Sequence, residues 1–463
     1  MLDHQPGRSL PHLEGSCSFE CRLQIAGERG TIGRMVVSPR ETRRNFALGV
    51  LNGTTFQFAE ALIDPPLVLT WFVSQLTHSN LLIGLVAPLG DAGWFLPQIF
   101  VSTHIQRLPL KMPNYVLSTA IRTAVWLILV ATVWLVDDPL FLLVAFFVLY
   151  AVARLASGLA GLTFFDIVAK TIPTRRRGYF FAWRQLTGGL LALGSGWIVK
   201  TLLNHPALPF PRDHAVLFLL YTVVMAMGMG AFSLIREPPG TALPPPVTMK
   251  EQLGLAGRLL HTDRTYRRYL AARLALGLAG IALPFYGIYA RRALGAPDGM
   301  VGVYIATRVT ATLLFNLPWG RLSDRRGNQL VMRLVSLGGG ATAGLALALA
   351  GAVWLLRPQG PWLPYLALPV FFLDGTMRPA YVLVDSNFLL ELVPEAERSL
   401  YLGLSNTLIG LVVLLCGLGG LIVDGVGFAG LFAMSAGLCL AGYILTSGLP
   451  EPRQEKRGAE SPR

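Results

Sequence analysis

The chain has 463 residues, 53% of them hydrophobic and only 14% charged, with a mean hydropathy of +0.53. Soluble domains carry roughly 25% charged residues, so this balance excludes an ordinary soluble enzyme and points to a polytopic membrane protein with lipid as a partner. The formal net charge of +13 does not indicate a nucleic-acid partner, because the basic residues sit between apolar runs rather than on one soluble stretch.

Residues 1–43 are polar, mixed in charge and free of any apolar run. They read as a disordered cytoplasmic tail, not as a signal peptide or a membrane helix. Cys17 and Cys21, even with His4 and His12, match no usual zinc spacing, and no metal is expected. Twelve apolar runs follow, predicting helices over 45–74, 81–103, 114–136, 139–170, 179–203, 215–235, 269–292, 300–319, 329–356, 362–390, 400–423 and 427–449. Each is long enough for a hydrocarbon core of roughly 30 Å. The fold class expected is an all-α integral membrane protein. It divides into an N-terminal six-helix half over 44–235, a linker over 236–268, a C-terminal six-helix half over 269–449 and a second tail over 450–463.

Charges left inside the runs carry the most information. Each costs roughly 2.5–3.5 kcal/mol at the bilayer centre, so each should be paired or face a wet cavity. In the first run Gly53, Gln57, Glu60 and Asp64 share one helical face. Asp64 precedes Pro65-Pro66, which break the run there, and it is either a cap or a cavity residue. The fourth run carries Arg154 just before Ser157, Gly158, Ala160 and Gly161, small residues suited to close helix contact. In the seventh, Phe285, Tyr286 and Tyr289 are read as substrate contacts or packing. Tyr304, Arg308 and Thr312 share a face of the eighth. In the tenth, Asp374, Arg378, Tyr381 and Asp385 repeat the spacing of the first, and Asp374 and Arg378 can pair along the helix. The candidate substrate or proton cavity is therefore Gln57, Glu60, Asp64, Arg154, Tyr286, Tyr289, Arg308, Asp374 and Arg378. Trp71, Trp134, Trp354 and Trp362 lie near run ends and read as interfacial anchors.

The linker opens Arg236-Glu237-Pro238-Pro239-Gly240, which breaks helix. Its later part, 249–261, is amphipathic and fits a helix lying on the membrane surface. The two halves repeat. Pro173, Arg177, Phe180, Gly189 and Gly196 match Pro394, Arg398, Tyr401, Gly410 and Gly417, every pair 221 apart, and Glu237-Pro238 recurs as Glu451-Pro452.

Between the eighth and ninth runs lies Pro318-Trp319-Gly320-Arg321-Leu322-Ser323-Asp324-Arg325-Arg326-Gly327-Asn328. Three arginines and an aspartate exclude this stretch from hydrocarbon, so it is predicted as a membrane-surface turn that Gly320 and Gly327 allow to reverse. The spacing Gly-x-Leu-x-Asp-Arg-x-Gly resembles the loop signature of the major facilitator superfamily. Arg154 to Gly161 resembles a second signature of that family, with Ser157 and Ala160 at two altered positions. The first-half loop, His104 to Pro109, lacks the signature's Gly and Asp.

The resemblance, which covers about 45–449, implies a secondary transporter. Two pseudo-symmetric halves would rock around a site near the midplane. The cargo would be a small-molecule solute, driven by a proton or solute gradient, with no cofactor and a monomer as the unit. On this reading Glu60 either carries a proton under the influence of Arg154 or forms with it a permanent ion pair that holds two helices together. The resemblance also implies a loop latch made of Gly320, Asp324, Arg325 and Gly327. In the outward-facing state Asp324 would lie near Gly178, and Arg325 or Arg326 near Asp385. By pseudo-symmetry Arg107 or Lys111 would lie near Asp166. No His-Glu-x-x-His, Gly-x-Ser-x-Gly, Cys-x-x-Cys or P-loop pattern occurs, which disfavours an enzyme or a nucleotide-driven pump. A transporter-shaped receptor or scaffold is the main alternative, and a membrane-embedded enzyme the weaker one.

Orientation follows from the loops. One side holds 16 Lys and Arg and the other holds 4, which places both termini and the linker in the cytoplasm of a plasma-membrane protein. Labelling of single cysteines in intact cells by an impermeant reagent checks this. A cysteine replacing Leu208 should react and one replacing Lys250 should not; the reverse pattern inverts the topology.

Overall fold

A computed structural model describes residues 39–239, 260–393 and 398–451. These residues are helical with no strand. The N-terminal half contains α1 (Pro39–Leu62), a π-helical turn (Pro65–Leu69), α2 (Thr70–Leu76), α3 (Asn80–Arg107), α4 (Met112–Leu135), α5 (Pro139–Thr171), α6 (Thr174–Leu203) and α7 (Arg212–Ser233). The C-terminal half contains α8 (Arg264–Ala279), α9 (Leu283–Ala293), α10 (Met300–Arg326), α11 (Asn328–Leu356), α12 (Leu368–Leu392), α13 (Arg398–Leu415) and α14 (Gly419–Ser447), with short 3-10 turns before α9, α12 and α14. Among the described residues, nine stretches are long and apolar enough to cross a membrane, and the last of them, 404–447, spans both α13 and α14.

Local chemistry sets the ends. Asp138 and Asp263 cap α5 and α8, each accepting from a backbone N–H three residues on, at 2.6 and 2.8 Å. The pair Pro65-Pro66 interrupts the first run as expected, since neither residue has an N–H to continue α1. Three boundaries differ from the sequence reading. The expected tail 1–43 overlaps α1, which starts at Pro39, while 1–38 lie outside the described residues. Most of the expected amphipathic helix at 249–261 lies outside them too. The expected turn 318–328 is mostly helix: α10 runs through Pro318 and Gly320 to Arg326, and the chain reverses at Gly327 alone, whose φ of +88° suits glycine. The polar residues there extend the helix beyond the apolar run rather than ending it.

The packing repeats between halves. In the first, α1 packs on α6 and α7, α4 on α5 and α7, and α3 on α5. In the second, α8 packs on α13 and α14, α11 on α12 and α14, and α10 on α12. The halves meet where α6 packs on α10 and α3 on α13. At the first contact a Cβ on Gly196 would lie 2.5 Å from the carbonyl of Gly302, so backbone touches backbone there. Outward-facing residues are strongly apolar: Leu135 and Trp354 are 76% and 77% exposed, a surface suited to lipid rather than water.

The repeated Glu-Pro pair has a structural role. The Glu237 carboxylate, 1% exposed, accepts from the N–H groups of Lys111 and Met112 at 2.8 and 2.7 Å and from Lys170 at 2.5 Å. It thereby neutralises the positive end of α4. Glu451 does the same for α11, accepting from the N–H of Gln329 at 2.9 Å. Glu237→Ala should lower stability by about 2 kcal/mol, the scale of a charged hydrogen bond, with Glu237→Gln costing less. Thermal unfolding in detergent reads the difference.

Candidate functional site

Within the N-terminal half, Glu60 on α1 is held by two arginines. Arg122 of α4 donates to its Oε1 at 2.8 Å and Arg154 of α5 to its Oε2 at 3.4 Å. Arg122, only 2% exposed at its side chain, also donates to the Tyr221 hydroxyl of α7 at 2.5 Å. Arg154 donates to the Gly90 carbonyl of α3 at 2.9 Å. Five helices thus converge on one carboxylate, which keeps 23% of its own surface open to solvent. Gly158 and Gly161 let α5 close on α3: a Cβ on Gly161 would sit 2.5 Å from the Trp94 ring. The small residues after Arg154 therefore serve packing while the arginine serves charge.

Arg308 of α10 joins the halves. It forms an ion pair with Asp64, at the end of the broken first run, and lies 3.7 Å from Asp374 of α12 in its own half. The side chain of Asp64 makes no capping bond, so its role is the ion pair. More polar contacts bind the halves at the end opposite the termini. Trp71 donates to Asp298 at 2.7 Å, Arg291 to Ser74 at 2.6 Å, Arg292 to Asn80 at 2.6 Å, and Asn80 to Asp424 at 2.5 Å. The N–H of Gly299 donates to Asn204 at 3.0 Å. Nearer the start of α6, a Cβ on Gly178 would meet nothing within 4 Å.

Two further charges stand in the space between the halves. Asp91 of α3 and Arg378 of α12 are both exposed, and among the described residues neither has a hydrogen-bond or ion-pair partner. Deeper in the C-terminal half, Arg273 of α8 grips Asp385 with bonds of 2.5 and 2.9 Å and reaches Asn406 at 3.1 Å.

The structure gathers Glu60, Asp64, Arg154, Arg308, Asp374 and Arg378 about the seam between the halves and sets the other candidates elsewhere. Gln57 faces α6, donating to Gln185 at 2.8 Å. Tyr286 and Tyr289 are buried against Phe428 and Phe432, as packing. Asp374 pairs across to Arg308 rather than along its helix to Arg378. Asp385 is taken by Arg273, not by Arg325 or Arg326, which are exposed at the end of α10. Lys111 pairs with Asp166 at 2.6 Å, while the side chain of Arg107 lies outside the described residues. Asp324 and Gly320 ride on the last turns of α10. Trp71 is not an interfacial anchor: it is 0% exposed and tied to Asp298. The sequence reading missed Asp91, Arg122 and Arg273. All three are charges within apolar runs, the signal that had marked Glu60. Among the described residues no cluster of His, Cys, Asp or Glu fits a metal.

Two helical repeats, joined at one end over the buried Arg308–Asp64 ion pair, define an all-helical membrane protein. Residues 269–463 match the family model described as Major Facilitator Superfamily. No curated protein matches the chain. Among solved structures it is similar to a D-xylose-proton symporter, with 14% identity and a TM-score of 0.68 over 89% of this chain and 98% of that one. It is similar to a variant of nucleoside transporter NupG, with 14% identity and a TM-score of 0.67 over 88% and 99%. It is also similar to an inward-facing bacterial homologue of the iron transporter ferroportin, with 13% identity and a TM-score of 0.62 over 88% and 98%. At these identities the likeness establishes the fold alone.

The Glu60 cluster makes a direct energetic test. Arg122→Met leaves Tyr221 and one carboxylate oxygen without a buried donor and should cost about 3 kcal/mol, the low end for breaking a buried pair because Arg154 remains. Adding Glu60→Gln should recover part of the loss. A double-mutant cycle from thermal unfolding should give a coupling of about 0.5–3 kcal/mol.

Proposed function

We propose that the chain carries a small organic solute across the plasma membrane by alternating access, as a monomer with twelve membrane crossings and both termini in the cytoplasm. The observation that supports this best is the seam: the halves are tied at one end by Arg308–Asp64 and its neighbours, while toward the other end unpaired charges stand in open space. With the loop charges as the guide to orientation, this conformer faces inward.

Reversal requires Arg308 to leave Asp64. Asp374, 3.7 Å away on the same half as Arg308, remains to neutralise it, so the switch strands no buried cation. Trp71 and Arg292 would part from Asp298 and Asn80 in the same movement. At the other end Asp324 would approach the start of α6 near Gly178, latching the outward-facing state, with Gly320 and Arg325 on the last turns of α10 and Gly327 making the reversal.

A proton or solute gradient supplies the energy. Glu60 is the proton-accepting group in this reading, because it is the most exposed member of its cluster; Arg122 and Arg154 would release it in one conformer and bind it in the other. The competing role is a permanent ion pair holding α1 to α4 and α5. Reconstituted protein separates the two. Glu60→Gln should still exchange labelled solute for unlabelled solute but fail to accumulate it against a pH gradient. Proton-driven accumulation at the wild-type level would remove Glu60 from the coupling. Binding of solute by the wild type without counterflow in sealed liposomes would mark a receptor in place of a transporter.

A further inference from the structure

Asp91 shares a face of α3 with Gly84 and Phe95. A Cβ on Gly84 would lie 2.9 Å from Phe285, and one on Gly410 would lie 3.1 Å from Phe95, so Gly84 and Phe95 both meet residues of the other half. That face of α3 is therefore turned to the C-terminal half, and Asp91 is exposed there, between the halves rather than toward lipid. Its carboxylate is within electrostatic reach of Arg378, with Arg154 and Tyr150 on its own side and Tyr381 and Cys416 on the other. Arg378 belongs to the face of α12 whose other charges, Asp374 and Asp385, are already matched by Arg308 and Arg273. Asp91 and Arg378 are thus one charge of each sign, one from each half, both open and both unbonded. A charge at this depth needs a partner or a wet cavity, and a solute entering that cavity can supply the partner.

The surroundings set the partner's net charge. Arg122, Arg154, Arg308 and Arg378 stand against Glu60, Asp64, Asp91 and Asp374, so the seam is neutral as it is. A solute with net charge would leave one charge uncompensated in a poorly solvated space. A solute with one cationic and one anionic group would leave none.

We propose that Asp91 and Arg378 are the two poles of the solute site and that the solute is a zwitterion, its ammonium group on Asp91 and its carboxylate on Arg378. This rests on the transporter reading above. Because the poles sit on different halves, such a solute would bridge the halves and draw them together, which couples its binding to the change of access.

The full-length protein, purified in detergent and reconstituted in liposomes, tests this. The probes are the common L-amino acids and dialanine, the amide and N-acetyl forms of each that binds, and a panel of neutral sugars and nucleosides. Ligand-dependent melting temperature reads binding and counterflow reads transport. At least one zwitterion should bind and exchange, while its cationic amide and anionic N-acetyl form should bind at least about tenfold more weakly, each having lost one charge-assisted contact. Asp91→Asn should abolish the preference for the zwitterion over the N-acetyl form, and Arg378→Gln the preference over the amide. Neither side chain has a protein partner to strand, so the ligand-free melting temperature should not move; if it falls, Asp91→Glu and Arg378→Lys should retain binding. Exchange of a sugar or nucleoside with no response to any zwitterion overturns the zwitterion site and leaves transport standing. Slower exchange in the variants with affinity for the zwitterion unchanged also overturns it, since the pair would then be a gate. Failure of the folded protein to exchange any probe removes the transport reading and this inference with it.

Discussion

The pairing of Arg308 with a carboxylate from each half is the interaction on which the arrangement depends. An arginine this deep cannot be left alone in a chain whose surroundings are lipid and apolar side chains. It is met by Asp64 from the first half and approached by Asp374 from its own. Asp64 reaches it only because Pro65-Pro66 break the first run, ending α1 and freeing the backbone to turn. The break in the helix, the ion pair and the closure of one end are thus one chain of cause. The surrounding contacts, Trp71 to Asp298 and Asn80 to Asp424, lie at the same end and close with it.

Much of the fold was legible in the sequence, and for a physical reason. The apolar runs follow from the length of chain that hydrocarbon demands, and the helix break follows from two consecutive prolines. The recurrence of Glu-Pro after each half marked a real device, since Glu237 and Glu451 each close the positive end of a helix in their own half. The charged faces of α1 and α12 were legible as faces. What each face meets was not. Helical spacing tells which residues point the same way, but the rotation of one helix against its neighbours comes from packing. Hence Asp374 was assigned to Arg378 on its own helix when Arg308 of α10 holds it, and Asp385 was given to the end of α10 when Arg273 holds it. Asp91 was missed because a lone acid with no partner on its own helix offers no spacing to read.

The two halves share a scaffold but not a charge pattern. In the first, an acid on α1 is bound by arginines on α4 and α5; in the second, an arginine on α8 is bound by an acid on α12. The repeat in sequence is carried by prolines, glycines and the Arg177/Arg398 and Glu237/Glu451 pairs at turns and helix ends, and fades among the charges between the halves. That division is what a rocking mechanism would need. The hinges and close contacts of the two halves must match for the halves to move as equivalent bodies, whereas the residues between them must differ, because a solute has two unlike ends and a symmetric site would hold it equally well in either direction. The opposite signs of Asp91 and Arg378, one on each half, give the seam a polarity that the scaffold alone does not have.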